Sequence, residues 1–195
     1  MNPVTSSIVL IVSVFFNLLM LVLLLRFLLQ LVGADFYNPV SQAIARITNP
    51  LLQPLRTFIP ARGAFDFGAL LLLLLGEVLA IVVLGFAHGL GLVPPLYILL
   101  WAPLGIVSLF LKFYFFAILA MVVLSWIAPG SPSPVVHLLY QLTEPVMAPF
   151  RRLLPSLGGL DLSPIFVFLA IMVSQEFVRY AAQQAQLVSS LVIGF

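Results

Sequence analysis

The sequence predicts an all-α membrane protein with four transmembrane helices in two tandem parallel repeats, each a helix, a kinked amphipathic Pro/Arg loop and a second helix. Three observations predict it. Of 195 residues, 63% are hydrophobic and 7% charged, whereas charged residues make up roughly a quarter of a soluble domain. The apolar residues gather into four long runs, each near or above the ~20 residues a helix needs to cross a bilayer. Finally, residues 48–66, TNPLLQPLRTFIPARGAFD, recur without a gap 95 positions later as residues 143–161, TEPVMAPFRRLLPSLGGLD.

Both copies read T-x-P-x-x-x-P-x-R-x-x-x-P-x-x-G-x-x-D. Thr48, Pro50, Pro54, Arg56, Pro60, Gly63 and Asp66 return as Thr143, Pro145, Pro149, Arg151, Pro155, Gly158 and Asp161. Hydrophobic bias alone does not reproduce three prolines, a cation and an acid at fixed spacing, so the chain is a duplication. Residues 1–93 form the first repeat, with its loop at 33–66; residues 94–195 form the second, with its loop at 129–162.

In chain order, residues 8–32 form the first span. No Lys or Arg precedes Arg26, so a cleaved signal peptide is not expected. Arg26 lies about 10 Å from the end of the span at 1.5 Å per residue, within snorkelling reach. Asn38-Pro39 and Ser133-Pro134 each place a capping side chain before a proline, where a short helix starts. Pro50 and Pro145 can each open a second short helix, which Pro54 or Pro149 kinks and Pro60 or Pro155 stops. The apolar side of each segment should lie in lipid. Residues 67–87 form the second span. Residues 88–103 are a Gly/Pro-rich connection whose Tyr97 and Trp101 fit an interfacial belt. Residues 104–128 form the third span and residues 163–184 the fourth. The final apolar residues, 187–195, are too few to cross again.

Cations in short loops mark the cytoplasmic side. Arg46, Arg56 and Arg62 lie in the first loop and Arg151 and Arg152 in the second, while the termini and the central connection carry none. Both loops are therefore expected in the cytoplasm, and both termini in the periplasm where the cell has two membranes. Two spans per unit make the repeats parallel, related by an axis along the membrane normal, so both loops could form one platform.

The duplicated motif resembles the YggT family of small bacterial membrane proteins, also called YlmG and present in plastids. The resemblance covers nearly the whole chain. It implies a unit of helix, Pro/Arg loop and helix, a two-unit form, and the bacterial inner (cytoplasmic) membrane. It defines no molecular activity, although the family has been linked to envelope stress or ion homeostasis, to division-associated gene neighbourhoods and, in photosynthetic lineages, to nucleoid distribution and cytochrome maturation.

Two constellations could carry function. In the loops, Arg56, Arg62, Arg151 and Arg152 are candidates for contact with lipid or a partner; simple anchorage, at roughly 1 kcal/mol per interfacial cation, also accounts for them. Asp66 and Asp161 precede the second span of each unit, where a carboxylate complements the helix dipole or pairs with Arg56 and Arg151. The second constellation is intramembrane. Counted from the cytoplasmic ends, Glu77 lies about 15 Å deep, Glu176 about 18 Å, Arg179 about 22 Å and Lys112 about 24 Å. Glu176 and Arg179 can pair along one helix, leaving Glu77 and Lys112 as interhelical partners. Such charges usually face the bundle interior. They either fix helix packing as a neutral network, the reading favoured here, or form a proton or ion path. Met172 stands in the second repeat where the first has Glu77.

The chain lacks cysteine, which excludes disulfides and thiolate chemistry. It contains no standard catalytic signature. His88 and His137 fall on opposite sides of the membrane and cannot share a metal. No cofactor or metal is expected, and clustered Lys/Arg of the kind that binds nucleic acid is absent. The expectation is a non-enzymatic membrane scaffold whose Pro/Arg segments engage anionic headgroups and a membrane protein partner, with a homo-oligomer compatible. The alternative is a small channel or transporter with re-entrant loops and a path along Glu77, Lys112 and Glu176.

Overall fold

The computed structural model describes residues 2–60, 63–153 and 161–195; Arg62, Pro155 and Gly158, singled out in the sequence, lie outside them. Six α-helices make up the described fold: α1 (Pro3–Leu31), α2 (Pro39–Phe58), α3 (Phe67–Ala87), α4 (Pro95–Ile127), α5 (Pro134–Leu153) and α6 (Ser163–Gln184). Four of them, α1, α3, α4 and α6, are long and apolar enough to cross a membrane. The chain is a multi-pass membrane protein.

Helices α1 and α4 extend beyond the predicted spans. The Asn2 carboxamide oxygen accepts from the Val4 amide and caps α1, with Pro3 in the first turn. In α4 the start moves back from residue 104 to Pro95, and the helix runs through Pro103. Pro103 is on the exposed side, and a proline's ring and missing amide disturb only the face it occupies. Trp101 thereby falls within the helix. It is buried, and its indole N–H donates to the Ala185 carbonyl at 2.9 Å.

The two motif segments correct the expected pairs of short helices. Each is one continuous 20-residue helix, α2 through Pro50 and Pro54 and α5 through Pro145 and Pro149. All four prolines are exposed. Spaced four apart, the two in each helix share one face, and the carbonyls they leave without an amide donor, those of Arg46 and Pro50 or Gln141 and Pro145, open onto the same side. Water or headgroups can satisfy them there, so the helix need not break. The opposite face packs inward, through Ser41, Ile44, Thr48 and Leu52 in α2 and Leu138, Leu142, Thr143 and Met147 in α5. The apolar stripe expected in lipid thus lies largely against the protein's own spans, although Ile47, Leu51 and Phe58 remain exposed.

Packing runs α1 against α3, α3 against α4 and α4 against α6. Helices α1 and α6 do not pack along one another, so the spans form an open row instead of a closed ring. Helix α3 is the most buried of them. Small residues let its neighbours approach: a Cβ on Gly76 would meet the Met20 Sδ at 2.9 Å, and one on Gly105 of α4 would meet Val192 Cγ1 at 2.6 Å. At the motif end, α2 packs on α1 and α3, α5 on α4 and α6, and α2 and α5 on each other.

Because the flexible end of Met20 can move, Gly76→Ala should cost under about 1 kcal/mol, while Gly76→Ile overpacks the α1–α3 contact and should cost about 1–3 kcal/mol. Thermal unfolding of the two variants in one detergent checks the order.

Candidate functional site

Each motif builds the same device at the junction between its amphipathic helix and the span that follows. Asp66 stands at the N-cap of α3, where its Oδ1 accepts the Ala69 amide at 3.0 Å. Its Oδ2 accepts from Arg56 Nη2 at 2.6 Å. One carboxylate therefore caps the span and holds the last turn of α2. In the second copy, Asp161 Oδ1 accepts the Ser163 amide at 2.9 Å and its Oδ2 accepts from Arg151 Nε at 2.9 Å. At Asp66 the two alternatives left open by the sequence, dipole capping and pairing with arginine, hold together; at α6 the N-cap position is Leu162, and Asp161 bonds the Ser163 amide from one residue farther out.

The copies differ in burial. The Asp66 side chain is fully buried and Asp161 is 45% exposed. Arg151 compensates with a second partner, donating from Nη1 to Glu144 Oε2 at 2.5 Å. Burial pushes the Asp66 carboxyl up, but the Arg56 hydrogen bond, the Ala69 amide and the nearby guanidinium charges outweigh it and hold the group below its ordinary value. Burial also opposes the shift of Asp161, which the bonds to Ser163 and Arg151 carry downward. For Arg151, burial lowers the pKa, yet Asp161 and Glu144 raise it overall.

The threonines that open each motif are buried. Thr48 Oγ1 donates to the Ile44 carbonyl at 2.8 Å, and Thr143 Oγ1 to the Leu139 carbonyl at 2.9 Å. Each hydroxyl is thus satisfied within its own helix turn while the short side chain lets α2 or α5 lie close to the spans. Pro60 follows the end of α2 and is exposed. Across the repeats, Asn38 Nδ2 donates to the Pro134 carbonyl at 2.7 Å and the Asp35 amide to Gln141 Oε1 at 3.2 Å. These bonds join α2 and α5 into one platform, from which Arg46 and Arg152 project as exposed cations.

The intramembrane charges do not form the expected network. Glu77 is fully buried at the α3–α4 seam, and its Oε1 accepts from the Ile193 amide at 2.7 Å. Lys112 is not its partner. It lies with Arg179, Gln175 and Ser108 around a separate cavity of about 240 Å³. Glu176 and Arg179 do pair across one turn, but their side chains are 68% and 60% exposed, and Arg179 reaches no further inward than the cavity beside Lys112. The seam is taken by the chain's last residues. From the end of α6 the tail turns back, with Gln186 Oε1 accepting from the Tyr97 hydroxyl at 3.2 Å. Leu191, Val192 and Ile193 are buried, and Ser108 Oγ donates to the Gly194 carbonyl at 2.5 Å. Glu77 lies ten residues from either end of α3, so the tail descends about 15 Å into the span. Sequence reasoning saw only that the tail was too short to cross. The glycines that admit it, Gly105 and Gly194, were its one visible signal.

Breaking a buried pair by removing one partner typically costs about 3–5 kcal/mol and an exposed one under about 1 kcal/mol. Asp66→Asn should therefore lower the unfolding temperature well beyond Asp161→Asn. With its pKa depressed in the folded chain, the Asp66 clamp contributes fully above the unfolded value of about 4 and is lost as pH falls through the lower folded one. The stability gap between wild type and Asp66→Asn should consequently close on acidification, which unfolding from pH 7 to 3 would measure. At the seam, Gly105→Leu should expel the tail, so that a lone cysteine placed by Ile193→Cys in this cysteine-free chain labels with maleimide only in the Gly105→Leu background.

Comparison with known proteins agrees with this duplicated architecture. The CCB3/YggT pattern matches residues 5–87 and again residues 100–182, an offset of 95 at both ends. A Pseudomonas aeruginosa protein named only as uncharacterised is 50% identical over 156 residues, covering 80% of this chain and 79% of that protein. The Escherichia coli protein named uncharacterised protein YggT is 36% identical over 171 residues, or 86% of this chain and 87% of its own. A shorter match, 42% over 62 residues, covers 32% of this chain and 24% of the Arabidopsis thaliana YlmG homolog protein 2, chloroplastic. No solved structure matches. With the family pattern matched in both repeats at the register that places the two clamps, the chain belongs to the CCB3/YggT family.

Proposed function

We propose that the protein is a non-enzymatic scaffold of the bacterial inner membrane, with the α2–α5 platform on the cytoplasmic face and both termini in the periplasm. The observation that carries this reading is the pinning of both platform helices. Each is tied to its following span by an arginine–aspartate clamp, and the two are tied to each other by the Asn38 and Gln141 bonds. Such a surface is held at fixed depth and orientation. Residues 1–93 and 94–195 each supply one half of it.

The chemistry of the platform divides by position. Arg56 and Arg151 shape it, because their guanidinium groups are engaged by acids within the chain. Arg46 and Arg152 are left to attract anionic headgroups, each worth about 1 kcal/mol near the surface. Exposed Tyr37, Ile47, Leu51 and Phe58 offer apolar contact to lipid or to the transmembrane region of a membrane protein partner.

The channel reading has less support within one chain. Among the described residues the spans form an open row, and the seam that holds Glu77 is filled by residues 191–193. A path would need a second copy to close it.

The test replaces Arg56 and Arg151 with alanine together, then separately replaces Arg46 and Arg152 with glutamine. In a deletion strain, the first pair should lose complementation by loosening the platform, and the second should reduce the preference of the reconstituted protein for phosphatidylglycerol over phosphatidylcholine among its surrounding lipids without changing the unfolding temperature. Full complementation by both double variants would remove the basis for the scaffold. Potassium or proton flux into liposomes carrying the folded protein, abolished by Glu77→Gln, would replace it with the channel.

A further inference from the structure

One buried cation is unused by the clamps. Arg26, on the last turns of α1, is only 5% exposed, and its Nε and Nη1 are buried without a hydrogen-bond partner. Among the described residues its side chain forms no ion pair; its one directed contact is with the face of Phe36, 5.1 Å from the ring centroid. Arg56 and Asp66 lie within electrostatic reach, but the Asp66 oxygens are already taken by Arg56 and the Ala69 amide. Arg56 Nε is also buried and unpartnered. Two guanidinium groups thus lie near one carboxylate that bonds only Arg56, leaving one positive charge in a niche beside Phe36, Arg56 and Asp66.

The second repeat shows that the fold does not need this charge. Met121 stands at the position equivalent to Arg26, buried to a similar degree, and touches the Thr143 hydroxyl through its sulfur at 3.3 Å. A methionine fills the niche there at no electrostatic cost. An arginine in the same position, desolvated and without an acid of its own, is expensive unless an anion completes it. Its planar fork suits a phosphate group, to which it can give two parallel N–H bonds.

We infer that the niche around Arg26 and Arg56 is a phosphate site in the first repeat only, filled by the headgroup of a phospholipid in the leaflet at the motif end. Arg26 lies five residues before the end of α1, about 8 Å from it at 1.5 Å per residue, a depth that a lipid phosphate at the membrane surface reaches and that places its acyl chains beside α1. The inference deepens the platform reading and rests on it for placing this end of the bundle at the headgroups. It turns general attraction to anionic lipid into one fixed lipid per chain.

Native mass spectrometry of the full chain released from detergent, after exposure to phosphatidylglycerol, phosphatidylcholine or diacylglycerol, tests it. The wild type should retain one phospholipid of either kind and no diacylglycerol, because the phosphate is the recognised group. Arg26→Met, which copies the second repeat and so should fold, should retain at least about tenfold less, and Arg26→Lys, with its charge but no fork, should fall between. Retention of phospholipid by Arg26→Met at the wild-type level, or capture of diacylglycerol as well as phospholipid by the wild type, would overturn the site. Inorganic phosphate alone, added to delipidated protein, separates the sources. If it raises the unfolding temperature of the wild type but not of Arg26→Met, and no lipid is retained, the ligand is a free phosphate and the lipid assignment is overturned. Arg46→Gln with Arg152→Gln should leave the single retained lipid in place. Should these two changes also leave the preference for phosphatidylglycerol among the surrounding lipids intact, the platform reading fails while the site stands.

Discussion

The hydrogen-bonded pair of an arginine on an amphipathic helix and the aspartate that begins the next span is the contact on which the rest depends. An interfacial helix without such a tie is held only by its apolar face and is free to slide and roll at the surface. Here one carboxylate serves two oxygens in two directions, so the position of α2 is fixed relative to the first turn of α3, and that of α5 relative to α6. The spacing of the motif follows from this requirement. Arginine and aspartate are ten residues apart in both copies. The motif is therefore first a joint, and the exposed arginines beside it are what the joint presents.

Duplication supplied two joints, and the copies then took different roles. In the first, the aspartate is fully buried and lies near a second arginine; in the second, it is half exposed and the arginine divides itself between Asp161 and Glu144. Mid-span, the divergence is sharper. Glu77 is buried and binds the tail, whereas Met172, its counterpart, faces outward. The first repeat has concentrated its polar residues in buried positions, where each requires a partner. The second has moved its own, Glu176 and Arg179, to the outside. A chain of this composition has few charges to place, and among the described residues the buried ones, Arg26, Asp66 and Glu77, all lie in the first repeat.

The repeat, the four spans and the clamp residues were legible because they rest on spacing and hydropathy, both properties of the linear chain. The continuity of α2 and α5 was not. Whether a proline breaks a helix depends on whether the carbonyl it orphans can reach water, and that depends on which face the fold leaves exposed. The pairing of Glu77 was hidden for a related reason. Sequence reasoning looks for an acid's partner among cations, while the structure supplies a backbone amide from Ile193, over a hundred residues away. Arg26 was read as a snorkelling cation because its distance from the helix end permits it. Its buried side chain instead lies over the ring of Phe36, in a loop whose course the sequence does not specify.

An open row of four helices constrains function in a way that a closed bundle would not. With α1 and α6 not packed along one another among the described residues, the row of spans has an open side, while the seam at α3–α4, where spans of the two repeats meet, is occupied by the tail. What the fold does hold rigidly is its motif end, where two clamps and two inter-repeat bonds converge. Rigidity is costly in conformational entropy, and a surface that served only to anchor the protein would not need it, since scattered cations and apolar side chains anchor a mobile helix equally well. A platform fixed in depth, tilt and register is suited to presenting a defined surface to another molecule. The proposed function accordingly rests on that end, on the platform and on the phosphate site inferred beneath it.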